Sequence, residues 1–302
     1  MKPGMPNYTL LRWGSLMSKP IIGLVTVGFE SSDVWPAFFA SLSRSTLKPQ
    51  SVVVIDNSPE APEGLTKLYK GKLTLKHRPE NPGYGSAINE GVSLLPSDCT
   101  VIVMCNPDVT FEPETLQRVV DALLAHPTTG IAGPAVINPD GSIYPSARAF
   151  PGVRVGIGHA ILGEIWKKNP WTQRYLGVYE GDDVRIVDWL SGSCLVAKKE
   201  ALDQVGGFDP EYFMFLEDVD LCFRLKRAGW RSLYVPGAQI EHSGGHSTKS
   251  RMADMVRVHH ESARRFLFRL YDKPVYWPLR QVLRLGLGVR SVLARIKYKN
   301  EG

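Results

Sequence analysis

Short apolar runs rich in β-branched residues alternate with segments of helical period through the first half of the chain. Ile21 to Val27, Ser51 to Ile55, Leu73 to His77, Thr100 to Met104 and Ile131 to Val136 have the length and composition of strands. Between them, Asp33 to Ser43, Ala61 to Tyr69, Ser86 to Leu95 and Pro113 to His126 predict helices. Strand and helix in alternation predict an α/β fold: a doubly wound, mostly parallel sheet with helices on both faces. Ligands then belong at the carboxyl ends of the strands, where the loops cluster.

The rhythm breaks at the turn Asn138-Pro139-Asp140-Gly141, and residues 150–182 mix glycine, proline, tryptophan and charge without a clear period, as a long functional loop or lid would. Patterning resumes with strands at Ile186 to Trp189 and Cys194 to Ala197. Helices follow at Lys199 to Val205 and Glu217 to Ala228, then a last strand at Trp230 to Val235. Beyond Lys249, Met252, Met255, Val256, His259, Ala263, Phe266, Leu267 and Leu270 form a helical stripe suited to packing on the body. A second helix from Pro278 sets Val282, Leu285, Val289, Val292, Leu293 and Ile296 on one side, with arginines and lysines on and around the other. The chain thus divides into an N-terminal extension (1–19), an α/β body (20–248) and a C-terminal helical tail (249–302).

Of 302 residues, 43% are hydrophobic and 22% charged, which excludes disordered, collagen-like and disulfide-scaffold classes. No apolar run approaches the ~18 residues of a spanning helix. Residues 1–19 lack the apolar stretch of a signal peptide, so a cytoplasmic protein is expected. Its four cysteines form no C-x-x-C pair, and neither zinc nor disulfides are suggested. The charge is unevenly placed: residues 249–302 carry 13 Lys/Arg against four Asp/Glu, whereas residues 1–248 carry 23 against 26. A basic amphipathic helix on a slightly acidic body suits an anionic membrane surface, although a solvated face on an ordinary packing helix has the same pattern. Nucleic acid is not an expected partner, because the tail lacks the interleaved aromatics of a stacking platform.

Five stations carry polar chemistry. Strand residues Val54-Ile55 run into Asp56-Asn57-Ser58, which suits hydrogen bonding to a base or sugar and equally suits a turn. Asn81-Pro82-Gly83-Tyr84-Gly85, with Asn89 beyond, opens a helix and lets backbone approach a phosphate, or simply caps that helix. Asn106-Pro107-Asp108 ends a fully apolar strand in a carboxylate able to hold a hard cation. Glu217-Asp218-Val219-Asp220 puts three acids at a helix start, where the dipole favours them and where one can act as a general base. Glu241-His242-Ser243-Gly244-Gly245-His246-Ser247 offers imidazoles in a Gly-rich loop to metal or phosphate.

In this order the stations, together with Thr26-Val27-Gly28-Phe29 and Trp189-Leu190-Ser191-Gly192-Ser193, resemble the family 2 glycosyltransferases of GT-A fold over about residues 20–248. The Phe213-to-Cys222 and Asn106-Pro107-Asp108 versions are similar to rhamnosyltransferases of bacterial cell-envelope assembly. The resemblance implies that Thr26 and Asp56 hold the nucleoside of a dTDP-sugar, with Val27, Gly28, Asn57, Asn81, Gly83, Tyr84, Gly85, Asn89 and Asn106 lining the donor pocket. It implies Mg²⁺ or Mn²⁺ on Asp108 and His242, with Asn106 in place of the first acid of the family's D-x-D motif. Asp218 takes the role of catalytic base, ionised at neutral pH if its pKa is the ordinary ~3.9. Trp189, Gly192, Glu217 and Asp220 serve the acceptor, expected to be a sugar on polyprenyl diphosphate in arabinogalactan-linker synthesis. The enzyme would then sit peripherally on the cytoplasmic face of the membrane.

Overall fold

The computed structural model describes residues 19–152, 181, 183–243 and 252–300. Twelve strands appear among them. Ten form one mixed sheet whose path runs β3 (Leu73–His77), β2 (Ser51–Asp56), β1 (Ile22–Gly28), β4 (Val101–Cys105), β11 (Cys194–Lys198), β6 (Thr129–Ile137), β12 (Arg231–His242) and β5 (Val109–Phe111). β7 (Ile143–Tyr144) and β9 (Arg185–Val187) pair with β6 and β12, and β8 (Ala147–Arg148) with β10 (Trp189–Leu190) makes a separate ribbon. The β3-β2-β1-β4 half is parallel, so its carboxyl ends lie together.

The nearly continuous apolar strands arise because both sheet faces are covered. Successive residues of β1, β2 and β4 alternate between two cores: Leu24, Val52, Val54 and Val103 face α1 (Trp35–Arg44) and α3 (Thr115–Ala125). Val25, Val53, Ile55 and Met104 face α2 (Tyr84–Ser93), α4 (Lys199–Val205) and α5 (Glu217–Arg227). Each fully buried Val, Leu or Phe contributes about 1.5–3 kcal/mol of transfer free energy. A one-residue slip in β1 would exchange the two faces, so register, and with it the position of Asp56, is tightly set.

Two elements depart from the sequence reading. The helix expected at Ala61 to Tyr69 is a single 3₁₀ turn, Leu65–Lys67, because Gly64 is left-handed (φ 68°) and one turn suffices to bury Leu65 and Tyr69. The last strand does not stop at Val235. It passes Pro236-Gly237 through a register shift between Val235 and Gln239 and continues to His242, pairing with β5, a three-residue strand too short to show periodicity. The segment expected as a loop or lid, 150–182, falls almost wholly outside the described residues, as do residues 244–247 of the Gly/His loop.

The tail begins as expected. Helix α6 (Met252–Leu270) buries Val258 and Phe266 against the body, with Phe266 in an aromatic cluster with Phe150 and Phe223. Helix α7 (Trp277–Asn300) leaves apolar side chains outside: Val282 is 67% and Leu285 71% exposed. No described helix is long and apolar enough to cross a membrane.

Candidate active site

At the end of β1 and β2 the expected nucleoside contacts gather around one buried carboxylate. Asp56 is 1% exposed and accepts a hydrogen bond from the Ser58 N–H at 3.1 Å. Burial raises its pKa, with Ser58 and His77 pulling the other way. Gly28 leaves the approach to it open, since a Cβ there would lie 2.6 Å from the Trp35 ring and 2.8 Å from Asp56 Oδ2. Val27 belongs to the α2-facing core. Thr26 Oγ1, Asn57 Oδ1 and Trp35 Nε1 are buried with no hydrogen-bond partner, a concentration of orphaned polar atoms that a polar ligand would relieve. Trp35 had escaped the sequence reading because an aromatic opening an amphipathic helix looks like core, which most of its ring is.

A continuous set of hydrogen bonds runs from this end through the site. Asn57 Nδ2 donates to Asn81 Oδ1 (3.2 Å), which also accepts from the Gly83 N–H (3.3 Å). Gly83 sits at φ 92°, and a Cβ would fall 2.3 Å from the Phe213 carbonyl oxygen, so no other residue fits this crossing. The next residue, Tyr84, donates its N–H to Phe213 O (3.1 Å) and its hydroxyl to Gly192 O (3.0 Å). Gly192 in turn donates its N–H to Asp218 Oδ2 at 2.8 Å. On the other side Asn106 donates its N–H to Ser193 O (3.0 Å), and its side chain lies 3.3 Å from His242 Nε2. His242 Nε2 is 3.1 Å from Asp108 Oδ1.

The Asp108–His242 pair exists because β12 passes its bulge: the β12–β5 register sets His242 opposite Val109, the residue after Asp108. Both side chains are mostly buried, at 11% and 21% exposure. A hard carboxylate oxygen and an imidazole nitrogen this close fit Mg²⁺ or Mn²⁺, provided that most of the octahedral positions come from substrate phosphate and water. Among the described residues no cluster of three or more His, Cys, Asp or Glu forms. The donor set therefore suits a cation shared with a diphosphate better than a permanently caged one.

The acids Glu217 and Asp218 open α5 after two consecutive left-handed, non-glycine residues, Phe215 (φ 67°) and Leu216 (φ 59°). Such conformations cost about 1–2 kcal/mol each and persist where surrounding contacts over-determine them. Here those contacts are the Tyr84 N–H on Phe213 O, above, and the Ser262 hydroxyl of α6, which donates to Met214 O at 2.8 Å. Asp218 also accepts from the Val219 N–H at 2.7 Å. Burial raises the Asp218 pKa, whereas the Gly192 and Val219 N–H groups and the Arg148 charge oppose the rise. This corrects the expectation of an ordinary aspartate. Glu217 is 7% exposed with Oε2 unpartnered, and burial, reinforced by the charge of Asp218, pushes its pKa up to about 8. Glu217 thus retains its proton into the neutral range.

The Glu217 shift has a measurable sign. In the native protein the carboxyl holds a proton that the unfolded chain, with its ordinary 4.5, has released, so the native contribution to stability is lost as pH rises from 4.5 through about 8. Glu217→Gln removes that loss. Thermal denaturation should show the variant gaining on the wild type between pH 5.5 and 8.5, and a constant difference in melting temperature would refute the assignment.

Other candidates take different places from those expected. Asn89 spends both amide atoms on Phe208, donating to its carbonyl (2.7 Å) and accepting from its N–H (2.9 Å), and Gly85 packs against the Phe208 ring. They fix the Gly207-Phe208 turn rather than line a donor pocket. Asp220 is fully buried between Arg224 and Arg269, each at 2.6 Å, so it braces α5 against α6 and is closed to an acceptor. Trp189 is half-buried, and its indole donates to Ala149 O at 2.9 Å. Opposite it in the β8–β10 ribbon stands Arg148, which the sequence reading missed in an unpatterned stretch. The Arg148 guanidinium lies 5.5 Å from both the Tyr144 and Trp189 ring centres.

This is the architecture of a GT-A glycosyltransferase. Solved structures share it: a mannosyltransferase from Pyrobaculum calidifontis in complex with GDP-Man and Mn²⁺ superposes with a TM-score of 0.55 at 15% identity, over 92% of this chain and 72% of that one. GalNAc-T7 with UDP, GalNAc and Mn²⁺ gives 0.57 at 15% identity, over 92% and 57%. The family model described as glycosyltransferase like family 2 matches residues 63–260. The N-acetylglucosaminyl-diphospho-decaprenol L-rhamnosyltransferase of Mycobacterium tuberculosis is 39% identical over 90% of this chain and 92% of its own length. The rhamnosyltransferase WbbL of Escherichia coli is 36% identical over 41% of this chain and 44% of its own. The chain belongs to the family 2 glycosyltransferases, and it is an enzyme of glycosyl transfer.

Proposed function

We propose that the enzyme transfers L-rhamnose from dTDP-rhamnose to N-acetylglucosaminyl-diphospho-polyprenol, with inversion at the anomeric carbon, in arabinogalactan-linker synthesis. The observation that carries this reading is the 39% identity to the mycobacterial rhamnosyltransferase, which extends over 90% of the chain and 92% of that protein. Thr26, Asp56 and Asn57 meet the thymidine, where buried polar atoms stand without partners. Asp108 and His242 hold a divalent cation whose charge would offset that of the diphosphate.

The protein's own chemistry centres on Asp218. Its carboxylate takes the proton of the acceptor hydroxyl as that oxygen bonds to the anomeric carbon and the bond to the dTDP oxygen breaks. The Gly192 and Val219 N–H groups fix the carboxylate in one orientation, and a raised pKa brings it nearer the optimum for a base at neutral pH. Protonated Glu217 beside it keeps a second negative charge out of the site. Trp189 and Arg148 form a shelf for the acceptor, an aromatic face for its sugar and a cation for its phosphate. A transfer assay across dTDP-, UDP- and GDP-sugars with a short-chain acceptor tests the reading: turnover should be confined to dTDP-rhamnose. Preferred transfer from another donor would keep the glycosyltransferase and discard the rhamnose.

The tail brings this site to its lipid-linked acceptor by binding an anionic membrane surface reversibly. Val275, in the turn before α7, and Trp277, Val282 and Leu285 on it are 59–74% exposed, and Arg280, Arg284 and Arg290 share that helix. Each basic residue near an anionic leaflet adds about 1 kcal/mol of attraction. Deleting residues 277–302 should abolish sedimentation with anionic vesicles and depress activity on a long polyprenyl acceptor, while activity on a soluble analogue persists. A shortened chain that still sediments, or that loses both activities alike, would show that α7 has no membrane role.

A further inference from the structure

Between α5, α6 and α7 lies a cleft of about 1250 Å³ that the transfer reaction does not use. Seven arginines line it against three acids, Glu211, Glu261 and Asp272. Most of the guanidinium groups are matched: Arg224 and Arg269 on buried Asp220, and Arg227, Arg257 and Arg265 on Asp272, Glu261 and Glu211. Arg264 of α6 and Arg284 of α7 line the same cleft and meet no hydrogen-bond or ion-pair partner among the described residues. A cleft with surplus positive charge on two helices repels itself, and an anion relieves that repulsion.

We propose that this cleft binds the phosphate-bearing headgroup of an anionic membrane phospholipid. The proposal deepens, and rests on, the membrane association of the tail. Guanidinium forks match phosphate oxygens bidentately, which makes Arg264 and Arg284 the groups that grip. Phe213, Phe223, Met255 and Phe268 supply apolar wall for the glycerol and first methylenes. This argues for a lipid rather than a free phosphate. No residue given a catalytic, donor-binding or cation-binding role lines the cleft, although Ser262, which holds the turn before Asp218, stands on its wall.

The test uses the full chain and short-chain dihexanoyl phosphatidic acid, soluble as a monomer, followed by calorimetry at physiological salt. Wild type should bind it saturably, at one site. Arg264→Ala with Arg284→Ala, which breaks no ion pair, should weaken binding by about tenfold or more. Lys67→Ala with Lys70→Ala, an equal loss of charge from exposed residues outside the cleft and the tail, should change it by less than about threefold. Equal losses in the two double variants, no saturable binding, or inorganic phosphate binding as tightly as the lipid would each overturn the proposal. Vesicle sedimentation of the same proteins separates the two readings: a wild type that sediments with anionic vesicles but binds the soluble lipid no better than the cleft variant keeps the membrane role and loses the headgroup site.

Discussion

Asp218→Asn should cut rhamnosyl transfer by ~10²–10⁴-fold, the usual worth of a positioned general base. The substitution is close to isosteric, and the amide oxygen can still accept from the Gly192 or Val219 N–H, so the local geometry survives. It cannot take the acceptor proton. Donor binding should stay near the wild-type value, because the nucleoside contacts lie at the ends of β1 and β2. Transfer rates and donor titration measured on the same protein separate these effects. Retention of more than about a tenth of wild-type transfer would move the base elsewhere, and the neighbouring acid not held by an arginine is Glu217, since Asp220 is sealed between two arginines. Glu217→Gln should, by contrast, keep substantial activity at neutral pH, because it replaces a carboxyl that is already protonated there with a neutral amide.

Asp108→Ala should weaken donor binding strongly and abolish the dependence of activity on divalent cation. With one carboxylate and one imidazole available, removing the carboxylate leaves a single neutral ligand, too little to hold Mg²⁺ beside a diphosphate. Asp108→Asn should recover part of the donor affinity, since the amide oxygen still coordinates weakly. Donor titration with and without chelator checks both variants. Wild-type activity that survives chelation unchanged would sink the cation, and His242 with Arg148 would then be the groups left to meet the phosphates.

Much of this was legible in the chain. The parallel half of the sheet could be read because its strands are apolar on both faces and its stations fall directly after them, as at Val54-Ile55-Asp56 and Met104-Cys105-Asn106. The matching of His242 with Asp108 could be named from the resemblance but not placed, because the strand that delivers His242 passes a Pro-Gly pair that local rules treat as a stop. Other roles depend on tertiary contacts that carry no local signal. Asn89 looks the same whether its amide meets a ligand or the Phe208 backbone. Asp220 is distinguished from Asp218 by the arrival of Arg269, 49 residues later. The elevated pKa of Glu217 likewise reflects burial that three adjacent acids in a sequence do not advertise.

The hydrogen bond from Ser262 to Met214 moves the edge of the catalytic unit. The tail was divided from the body at residue 249, where the charge changes sign, yet α6 supports the strained turn that aims Asp218, and its Arg269 neutralises the acid inside α5. A chain cut at 248 should therefore lose transfer activity, whereas one cut near Asp272 should keep it on a soluble acceptor. Charge composition draws one border in this protein and mechanics another, and the nineteen residues of α6 between them belong to the catalyst.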